Sequence, residues 1–293
     1  MMTILAPLRG VTIRPFRIAF AEEISKGGFA EALTPFITAV SGYDPRKDRE
    51  LSGHGGEEPI PVVPQFIGKD PVALRDSLLK IRDLGFTRAD LNCGCPFPMV
   101  RKKFRGSGIL KTPAVLAKML ETGCETMGEG NFSVKTRLGV ERADELLELM
   151  PLFNSFPLRH LAVHARTAKE MYSGECHLKE FSRVAAATKM PIVYNGDAPF
   201  PAIPGSVPPC AAGVMTGRGF VRSLGTLGNI GELLDKYIEM SLTELCGEHP
   251  VLGRIKELVA YWKELPRWKR LWPLVKMSRS IAELRAALSA CGA

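Results

Sequence analysis

The sequence predicts an α/β protein built on a (β/α)₈ barrel. Between residues 3 and 219, short apolar segments with strand character alternate about eight times with helical segments. Such alternation favours a parallel sheet that is covered on both faces, and eight units of roughly 30 residues match the usual size of this barrel. From about residue 241 the pattern is helical only, so we divide the chain into a barrel at 1–242 and a helical domain at 243–293.

The strands are predicted from short apolar runs that end at glycine, proline or polar residues. The predicted strands are 3–7, 31–38, 61–67, 88–95, 132–137, 160–167, 191–195 and 212–216. Pro35 interrupts the second strand, because proline has no N–H to donate to a neighbouring strand. A polar loop at 41–59 follows that strand, and a proline-rich crossover at 199–209 precedes the last one.

Helices are predicted where apolar residues recur at helical spacing. The predicted helices of the barrel are 13–24, 70–84, 112–127, 143–150 and 177–189. Those of the helical domain at 243–293, called the tail below, are 255–262, 268–275 and 281–288. Thr12 is predicted to cap the first helix, since its hydroxyl can accept a bond from a free backbone N–H group. The three tryptophans of the chain, Trp262, Trp268 and Trp272, are predicted to fill the core of the tail.

The composition is that of a soluble globular protein, with 45% hydrophobic and 24% charged residues. No apolar run approaches the ~20 residues of a membrane span, and residues 1–5 lack a basic leader, so we expect no signal peptide. Seven cysteines, an odd and mostly scattered set, indicate reduced thiols. These features predict a cytoplasmic protein without membrane contact.

The net charge of +8 favours a polyanionic partner, of which nucleic acid is the commonest soluble kind. Part of this charge lies in the tail, at Arg254, Lys256, Lys263, Arg267, Lys269, Arg270, Lys276, Arg279 and Arg285. Lys102, Lys103 and Arg105 form a second basic group between the fourth strand and the next helix. The alternative is a solvated surface with no ligand.

Polar side chains lie at the ends of six successive predicted strands. They are Gln65, Asn92, Cys95, Lys135, Arg137, His164, Arg166, Asn195 and Arg218. Because a barrel gathers the carboxyl ends of its strands at one mouth, where active sites form, all of them can face one pocket. Any single polar strand end has a structural explanation as well, since strand ends meet water.

Cys95 is the strongest candidate for chemistry at this mouth. Its strand stops at Gly94 and Pro96, which leaves the thiol just beyond a rigid element. A thiol can donate a proton or act as a nucleophile, because its ordinary pKa lies only a little above neutral. The alternatives are a buried core residue and half of a metal site; zinc needs four ligands and no second close Cys/His pair occurs, so we predict no metal.

Two glycine turns follow the last two strands, at Asn195–Asp197 and Gly217–Gly219. Barrels commonly bind phosphate at this position through backbone N–H groups, and Arg218 adds a fork of donors. The turns therefore indicate a phosphate site, although glycine and asparagine form tight turns without any ligand as well.

Short motifs spread over residues 4–220 resemble the tRNA-dihydrouridine synthases. They lie at 5–17, 64–66, 91–96, 106–110, 134–139, 163–167, 172–174, 195–197 and 213–219. The most specific are Asn-x-Gly-Cys-Pro, which ends at Pro96, and Val-His-x-Arg-Thr, which ends at Thr167. Two positions depart from the family pattern, which has Met in place of Leu8 and Asp in place of Ile13.

The resemblance implies an FMN-dependent barrel that reduces the C5=C6 bond of a tRNA uracil, with a helical domain that binds tRNA. NAD(P)H reduces the flavin, whose N5 then gives a hydride to C6 while Cys95 protonates C5. The residues implied to hold the flavin and its phosphate are Pro7, Leu8, Arg9, Gln65, Lys135, His164, Asn195, Gly196, Asp197, Gly217 and Arg218. Asn92 and Arg166 are implied to contact the base.

Two other functions stay open at this point. The first is a flavin-dependent barrel reductase of a small molecule, which would not need the basic tail. The second is a non-catalytic RNA-binding protein that contains FMN. For the tRNA-modifying enzyme we expect a monomer.

Overall fold

Ten parallel strands form one curled sheet in the computed structural model, which describes residues 1–52 and 56–289. The strands are β1 (Met2–Leu5), β2 (Glu31–Leu33), β3 (Ile37–Thr38), β4 (Val62–Val63), β5 (Gln65–Ile67), β6 (Ala89–Cys93), β7 (Phe132–Gly139), β8 (Leu161–Thr167), β9 (Ile192–Asn195) and β10 (Gly213–Thr216). Their order in the sheet is β3-β5-β6-β7-β8-β9-β10-β1-β2-β4. Every predicted strand is therefore present, and the α/β class with a parallel sheet is confirmed.

The strands at the two ends of this order belong to neighbouring segments of the chain. β2 and β3 share the segment that was predicted as one strand with an interruption at Pro35, and β4 and β5 are separated only by Pro64. β2 pairs with β4 and β3 pairs with β5. Residues 31–38 thus lie beside residues 62–67 along most of their length.

Apolar side chains of one strand divide between two layers, because successive side chains point to opposite faces of a strand. Ile4 packs inside the curled sheet in a small cluster that includes Leu33, Val63 and Met215. Leu5, its neighbour, packs outward against the helices. The interior of the sheet is thus filled with side chains. A ligand can bind only at its mouth, where the carboxyl ends of the strands meet.

Helices cover the outer face of the sheet. They are α1 (Arg14–Ala19), α2 (Ala21–Lys26), α3 (Pro71–Asp83), α4 (Pro98–Arg101), α5 (Pro113–Met127), α6 (Glu145–Asn154), α7 (Leu178–Ala186), α8 (Arg218–Leu224), α9 (Ile230–Glu244), α10 (Glu248–Ala260), α11 (Pro266–Met277) and α12 (Ile281–Ser289). None of the helices in the described ranges is long and apolar enough to cross a membrane.

The prediction that Thr12 caps the first helix is wrong. α1 begins after Ile13, and no side chain caps it. The Thr12 hydroxyl instead accepts a hydrogen bond from the Leu8 N–H (2.8 Å) and donates one to the Ala6 carbonyl (3.0 Å). The hydroxyl therefore stabilises the loop after β1, which carries three of the residues predicted to line the flavin.

The sequence patterns missed two helices, α8 and α9, between the last strand and the predicted tail. α9 is amphipathic and buries Leu234, Tyr237 and Ile238. Tyr237 packs against the rings of Phe16 in α1 and Phe20 just after it, at centroid distances of 6.0 and 6.1 Å. The domain boundary predicted at residue 242 falls inside this helix, and residues 290–293 of the predicted domain lie outside the described ranges. The two-domain division stays a prediction.

Two of the three tryptophans join the tail to the sheet. Trp262 and Trp268 are fully buried with ring centroids 4.7 Å apart. Their indole N–H groups donate to the carbonyls of Val221 (2.6 Å) and Gly225 (2.8 Å), in and just after α8. The prediction that the tryptophans fill a core is confirmed for this pair, and Trp272 packs, half-buried, on the same cluster.

Candidate active site

Cys95 lies just past the carboxyl end of β6 and is 7% exposed. The Asn92 side-chain oxygen accepts hydrogen bonds from the backbone N–H groups of Gly94 (3.1 Å) and Cys95 (2.9 Å). The Cys95 carbonyl accepts from the Ser107 backbone N–H (3.1 Å) and hydroxyl (2.9 Å). Bonds on both sides therefore hold the thiol-bearing residue in one conformation.

Gly106 closes this arrangement with a φ of 56°, a left-handed conformation that favours glycine. A Cβ at this position would lie 2.7 Å from the Cys95 Cβ and 2.9 Å from the Cys95 carbonyl oxygen. No real Cβ tolerates such contacts, so any side chain here would displace Cys95.

We therefore expect Gly106→Ala to reduce the free energy of unfolding by more than the ~1–3 kcal/mol of backbone strain alone, as measured by urea unfolding. Gly130→Ala is the matched control, because Gly130 also has a positive φ (72°) but its Cβ would meet nothing within 4 Å. Equal losses in the two variants would show that the contact with Cys95 is unimportant.

A chain of buried hydrogen bonds runs beneath Cys95. The Ser133 hydroxyl donates to Asp90 (2.7 Å), whose other oxygen accepts from the Gln65 amide (2.7 Å). The Gln65 oxygen in turn accepts from the Asn92 amide (2.7 Å). Two residues predicted to bind ligands, Gln65 and Asn92, are thereby oriented by Asp90. Sequence reasoning missed Asp90, although an acid inside an otherwise apolar strand was a signal.

Burial raises the pKa of Asp90 to about 7, despite the bonds from Ser133 and Gln65 that lower it. In the unfolded chain the same carboxyl has a pKa near 3.9. Between these values the folded protein holds a proton that the unfolded chain has lost, so stability decreases as the pH rises from about 4 to about 7.

We expect Asp90→Asn to remove most of this decrease, which for Asp90 alone is on the order of 4 kcal/mol. The measurement is urea unfolding of wild type and variant at several pH values between 4.5 and 7.5. Asp76→Asn, at an exposed carboxylate that pairs with Lys80 (2.9 Å), is the control and should leave the slope unchanged. A slope that survives in Asp90→Asn would contradict the assignment.

Lys135 lies beside this chain, since it is paired in register with Asn92 across β6 and β7. Within the described residues its ammonium makes no hydrogen bond or ion pair. Burial and the nearby Arg137 lower the pKa of Lys135 to about 8, against the attraction of Asp90. The side chain is thus a cation at neutral pH that has no partner in the described part of the chain and is suited to an anionic or polar ligand.

The Cys95 thiol stays protonated at neutral pH. Burial is the largest influence and raises its pKa, while the Phe97 backbone N–H and the charges of Arg137, Arg9 and Lys135 lower it to a smaller extent. The Cys95 thiol feels the charge of Lys135, and Lys135 feels that of Arg218, so Lys135 lies within electrostatic range of both of these predicted site residues.

His164 is surrounded by cations. Burial and the charges of Arg137, Lys135, Arg218 and Arg166 hold its pKa well below the ordinary value, so the ring is neutral. The Arg166 guanidinium lies 3.3 Å from the His164 Nε2, and since arginine can only donate, this nitrogen is the acceptor. The proton of the neutral ring is therefore on Nδ1.

Asp197 joins two arginines. Its carboxylate accepts from Arg218 (2.6 Å) and also bonds to Arg166, which further donates to the carbonyls of Ser173 (3.1 Å) and Gly174 (2.6 Å). Arg166, which the resemblance places against the base, is thus 1% exposed and lies beside the predicted phosphate residues. A carboxylate would repel a phosphate. The Asp197 side chain therefore orients the two arginines and does not bind phosphate itself.

Tyr172 and Arg137 also belong to the site; the sequence placed Arg137 at the mouth without a particular role and gave Tyr172 none. The Tyr172 ring centroid is 5.2 Å from the guanidinium carbons of both Arg137 and Arg218, and 6.0 Å from the His164 ring. Arg137 also donates to the Gly94 carbonyl (2.8 Å), next to Cys95. The only sequence signal for Tyr172 was its place in the Tyr-Ser-Gly motif.

The ends of β9, β10 and β1 form a close-packed edge on the other side of the mouth. A Cβ on Gly196 would lie 2.4 Å from the Tyr194 hydroxyl, and one on Gly217 would lie 3.1 Å from the Leu8 Cγ. The Asn195 amide donates to the Met215 carbonyl (2.8 Å). Pro7 and Leu8 are half-buried on this edge and Arg9 is exposed.

Thr216, at the end of β10, has a buried hydroxyl without a partner in the described part of the chain. The Thr216 hydroxyl, the backbone N–H groups of the two glycine turns and the Arg218 guanidinium could all bond to a ligand between these strand ends. The candidate residues from β1 and β5 to β10 therefore face one mouth, with a thiol on one side and a glycine-rich cationic edge on the other.

Comparison with known proteins identifies a family. The model of the family described as Dihydrouridine synthase (Dus) matches residues 4–254. The chain is 31% identical over 196 residues to tRNA-dihydrouridine synthase B of Pseudomonas aeruginosa, covering 66% of this chain and 57% of that protein. It is 30% identical over 203 residues to the probable tRNA-dihydrouridine synthase of Staphylococcus aureus, covering 67% of this chain and 60% of that protein. The match thus spans less than two thirds of the length of these relatives.

Solved structures with the same fold include two proteins of low sequence identity. Morphinone reductase superposes with a TM-score of 0.53 at 10% identity, over 75% of this chain and 83% of that one. The old yellow enzyme homologue from Zymomonas mobilis gives 0.55 at 11% identity, over 75% and 85%. At this identity the likeness concerns the fold alone.

Proposed function

Because this chain belongs to the dihydrouridine synthase family, we propose that it reduces the C5=C6 bond of a uridine in tRNA to dihydrouridine. The single observation that carries the proposal is the mouth itself. It combines a protonated thiol, Cys95, with a cation, Lys135, that has no partner among the described residues, and with the Arg218 guanidinium at the glycine turns. Reduction of an uncharged ring needs one proton donor and one bound redox cofactor. Cys95 can donate the proton, and the cations of the mouth can hold the cofactor.

We also infer that the curled sheet closes into an eight-stranded barrel. The two broken segments, residues 31–38 and 62–67, pair with each other through β2–β4 and β3–β5. Counting each broken segment as one strand gives eight strands and no free edge, the arrangement of a (β/α)₈ barrel. The mouth described above is then at its carboxyl end.

FMN is the cofactor we propose for this site, with NAD(P)H as its reductant. Two observations fit such a group: Thr216 has a buried hydroxyl without a partner among the described residues, and Arg218 lies beside it at the start of α8, where its guanidinium could meet a phosphate. Lys135 would hold its positive charge beside the ring, with Gln65 fixed next to it. When bound, the flavin supplies the hydride for uracil C6.

Cys95 would then supply the proton to C5. Its raised pKa keeps the proton on Sγ until negative charge develops on the substrate carbon, and a general acid is useful when it is protonated at the working pH. The Cys95 N–H donates to Asn92 and the Cys95 carbonyl accepts from Ser107, and these bonds fix the backbone from which the thiol projects. His164 is neutral and donates, if at all, through Nδ1, so it adds no competing acid beside Cys95.

The tail would bind the tRNA backbone. Its exposed cations are Lys263, Lys269, Arg270, Lys276 and Arg279, whereas Lys256 and Arg285 bond within the protein. α10 contacts the loop after β1, since a Cβ on Gly10 would meet the Arg254 guanidinium. The tail therefore adjoins the mouth, and cations there are suited to phosphates. A tRNA-modifying enzyme would work in the cytoplasm; the expected monomer stays a prediction.

The test uses the purified full-length holoprotein with NADPH and tRNA that lacks dihydrouridine, and sequencing that detects dihydrouridine. We expect one or a few uridines to be reduced, and tRNA affinity to decrease steeply with salt. Free uridine, offered in parallel, should not be reduced at a comparable rate. Reduction of small molecules but not of tRNA would favour the small-molecule reductase, and tRNA binding with flavin but without turnover would favour the non-catalytic protein.

A further inference from the structure

Two exposed phenylalanines stand on the loop after Cys95, where they are 39% (Phe97) and 47% (Phe104) exposed. Phe104 has a φ of 55°. For a bulky side chain this left-handed conformation is strained, and glycine would form the same turn without strain. Such strain persists only where the surrounding structure imposes it, and it concentrates at functional sites.

The loop holds Phe104 in a fixed position relative to Cys95. The Phe104 N–H donates to the Arg101 carbonyl (3.0 Å), and the N–H groups of Lys103 and Arg105 donate to the Val100 carbonyl (3.1 and 3.4 Å). Two residues later, Gly106 packs against Cys95. The Phe104 ring is therefore displayed at the rim of the mouth by the same loop that holds the thiol.

Cations surround this ring. The Lys69 ammonium is 5.8 Å from the Phe104 ring centroid, and Lys102 and Lys103 are exposed on the same loop. Lys69 follows β5, the neighbour of β6 in the sheet. The adjacent acid, Asp70, has its carboxylate bonded to the first backbone N–H groups of α3. An aromatic face among lysines matches a single-stranded nucleic acid better than an apolar protein surface.

We propose that Phe104, with Lys69 beside it, stacks a base of the RNA strand that flanks the target uridine, and so positions the tRNA. This inference rests on the proposed function. A target base that leaves its stack also deprives its neighbours of a stacking partner. An aromatic ring at the rim can replace that partner, while Lys69 meets the adjoining phosphate.

The experiment compares Phe104→Gly, Phe104→Trp and Lys69→Met with wild type, as full-length holoproteins. We expect Phe104→Gly to raise the Kd and the KM for tRNA about tenfold, with kcat at saturating tRNA nearly unchanged. Its melting temperature should be equal or higher, since glycine relieves the φ strain. Phe104→Trp should keep its affinity. Lys69→Met should lower the slope of log Kd against log salt by about one, whereas Phe104→Gly should not.

Leu178→Ala is the control, because Leu178 on α7 is similarly exposed (46%). It should bind tRNA as wild type does. An unchanged Kd in Phe104→Gly, or an equal loss in Phe104→Trp, would overturn the stacking role. Because the Kd is measured without turnover, it also tests the inference if no dihydrouridine forms, an outcome that would reject the proposed function instead.

Discussion

Replacing Cys95 by alanine should lower the rate of dihydrouridine formation about 10²- to 10⁴-fold, the usual contribution of a positioned general acid. The thiol is the acidic group held at the end of β6, by bonds to both its backbone N–H and its carbonyl. The residues proposed to hold the flavin do not include Cys95, so the variant should still bind flavin and tRNA. Single-turnover rates with the reduced holoprotein would measure the effect without interference from flavin reduction.

Cys93→Ala provides the matched control for this variant. Cys93 is two residues away, fully buried in the core under the helices, and burial raises its pKa well above the ordinary value. Its loss should cost some stability and leave the single-turnover rate within a few fold of wild type. If Cys95→Ala reduced uridine at the wild-type rate, another group would have to be the proton donor.

Lys135→Gln should have the second-largest effect. Lys135 is a buried cation with no hydrogen bond or ion pair among the described residues, and its removal should lower the reduction potential of the bound flavin, on the order of 30–60 mV, or about 1.4–2.8 kcal/mol for two electrons. Turnover should decrease at least tenfold. Both quantities can be measured on one preparation, by redox titration of the flavin absorbance and by steady-state kinetics.

The pH profile separates this effect from a general loss of structure. Because the pKa of Lys135 is lowered to about 8, its charge is lost as the pH rises above 8, and wild-type activity should decrease there. Lys135→Gln should lack this decrease. Lys169→Met, at an exposed lysine (73%) outside the mouth, should keep the wild-type potential and profile. A flavin potential that is the same in Lys135→Gln and wild type would contradict the assigned position.

Most of the fold could be predicted from local patterns. The strand that ends before Cys95, the pair of strands around Pro35 and Pro64, and the helix that Asp70 caps all depend on residues close together in the chain. α9 was missed by the sequence patterns; its apolar face packs in one cluster with Phe16 and Phe20, more than two hundred residues earlier, and no local pattern indicates that contact. The Thr12 cap was wrong because the hydroxyl bonds to Leu8 and Ala6, four and six residues earlier, and so belongs to the loop after β1.

The residues of the candidate site could be named from the sequence, but which of them pair with each other and which are protonated could not. Arg166 and Asp197 were assigned to separate ligands, and the structure pairs them with each other. Asp90 and Tyr172 act through partners on neighbouring strands or loops. Such pairs follow from strand register and loop closure, which bring together side chains that no motif connects.

The sequence by itself determined the α/β class, the family, and which ends of which strands carry polar groups, because strand periodicity and turn residues are local properties. The tertiary structure decided which charges are neutralised, which proton is retained and which cation stays without a partner. The reason is physical: the pKa of Cys95, Asp90 or Lys135 reflects burial and charges summed over every nearby group. Those groups come from at least four different strands.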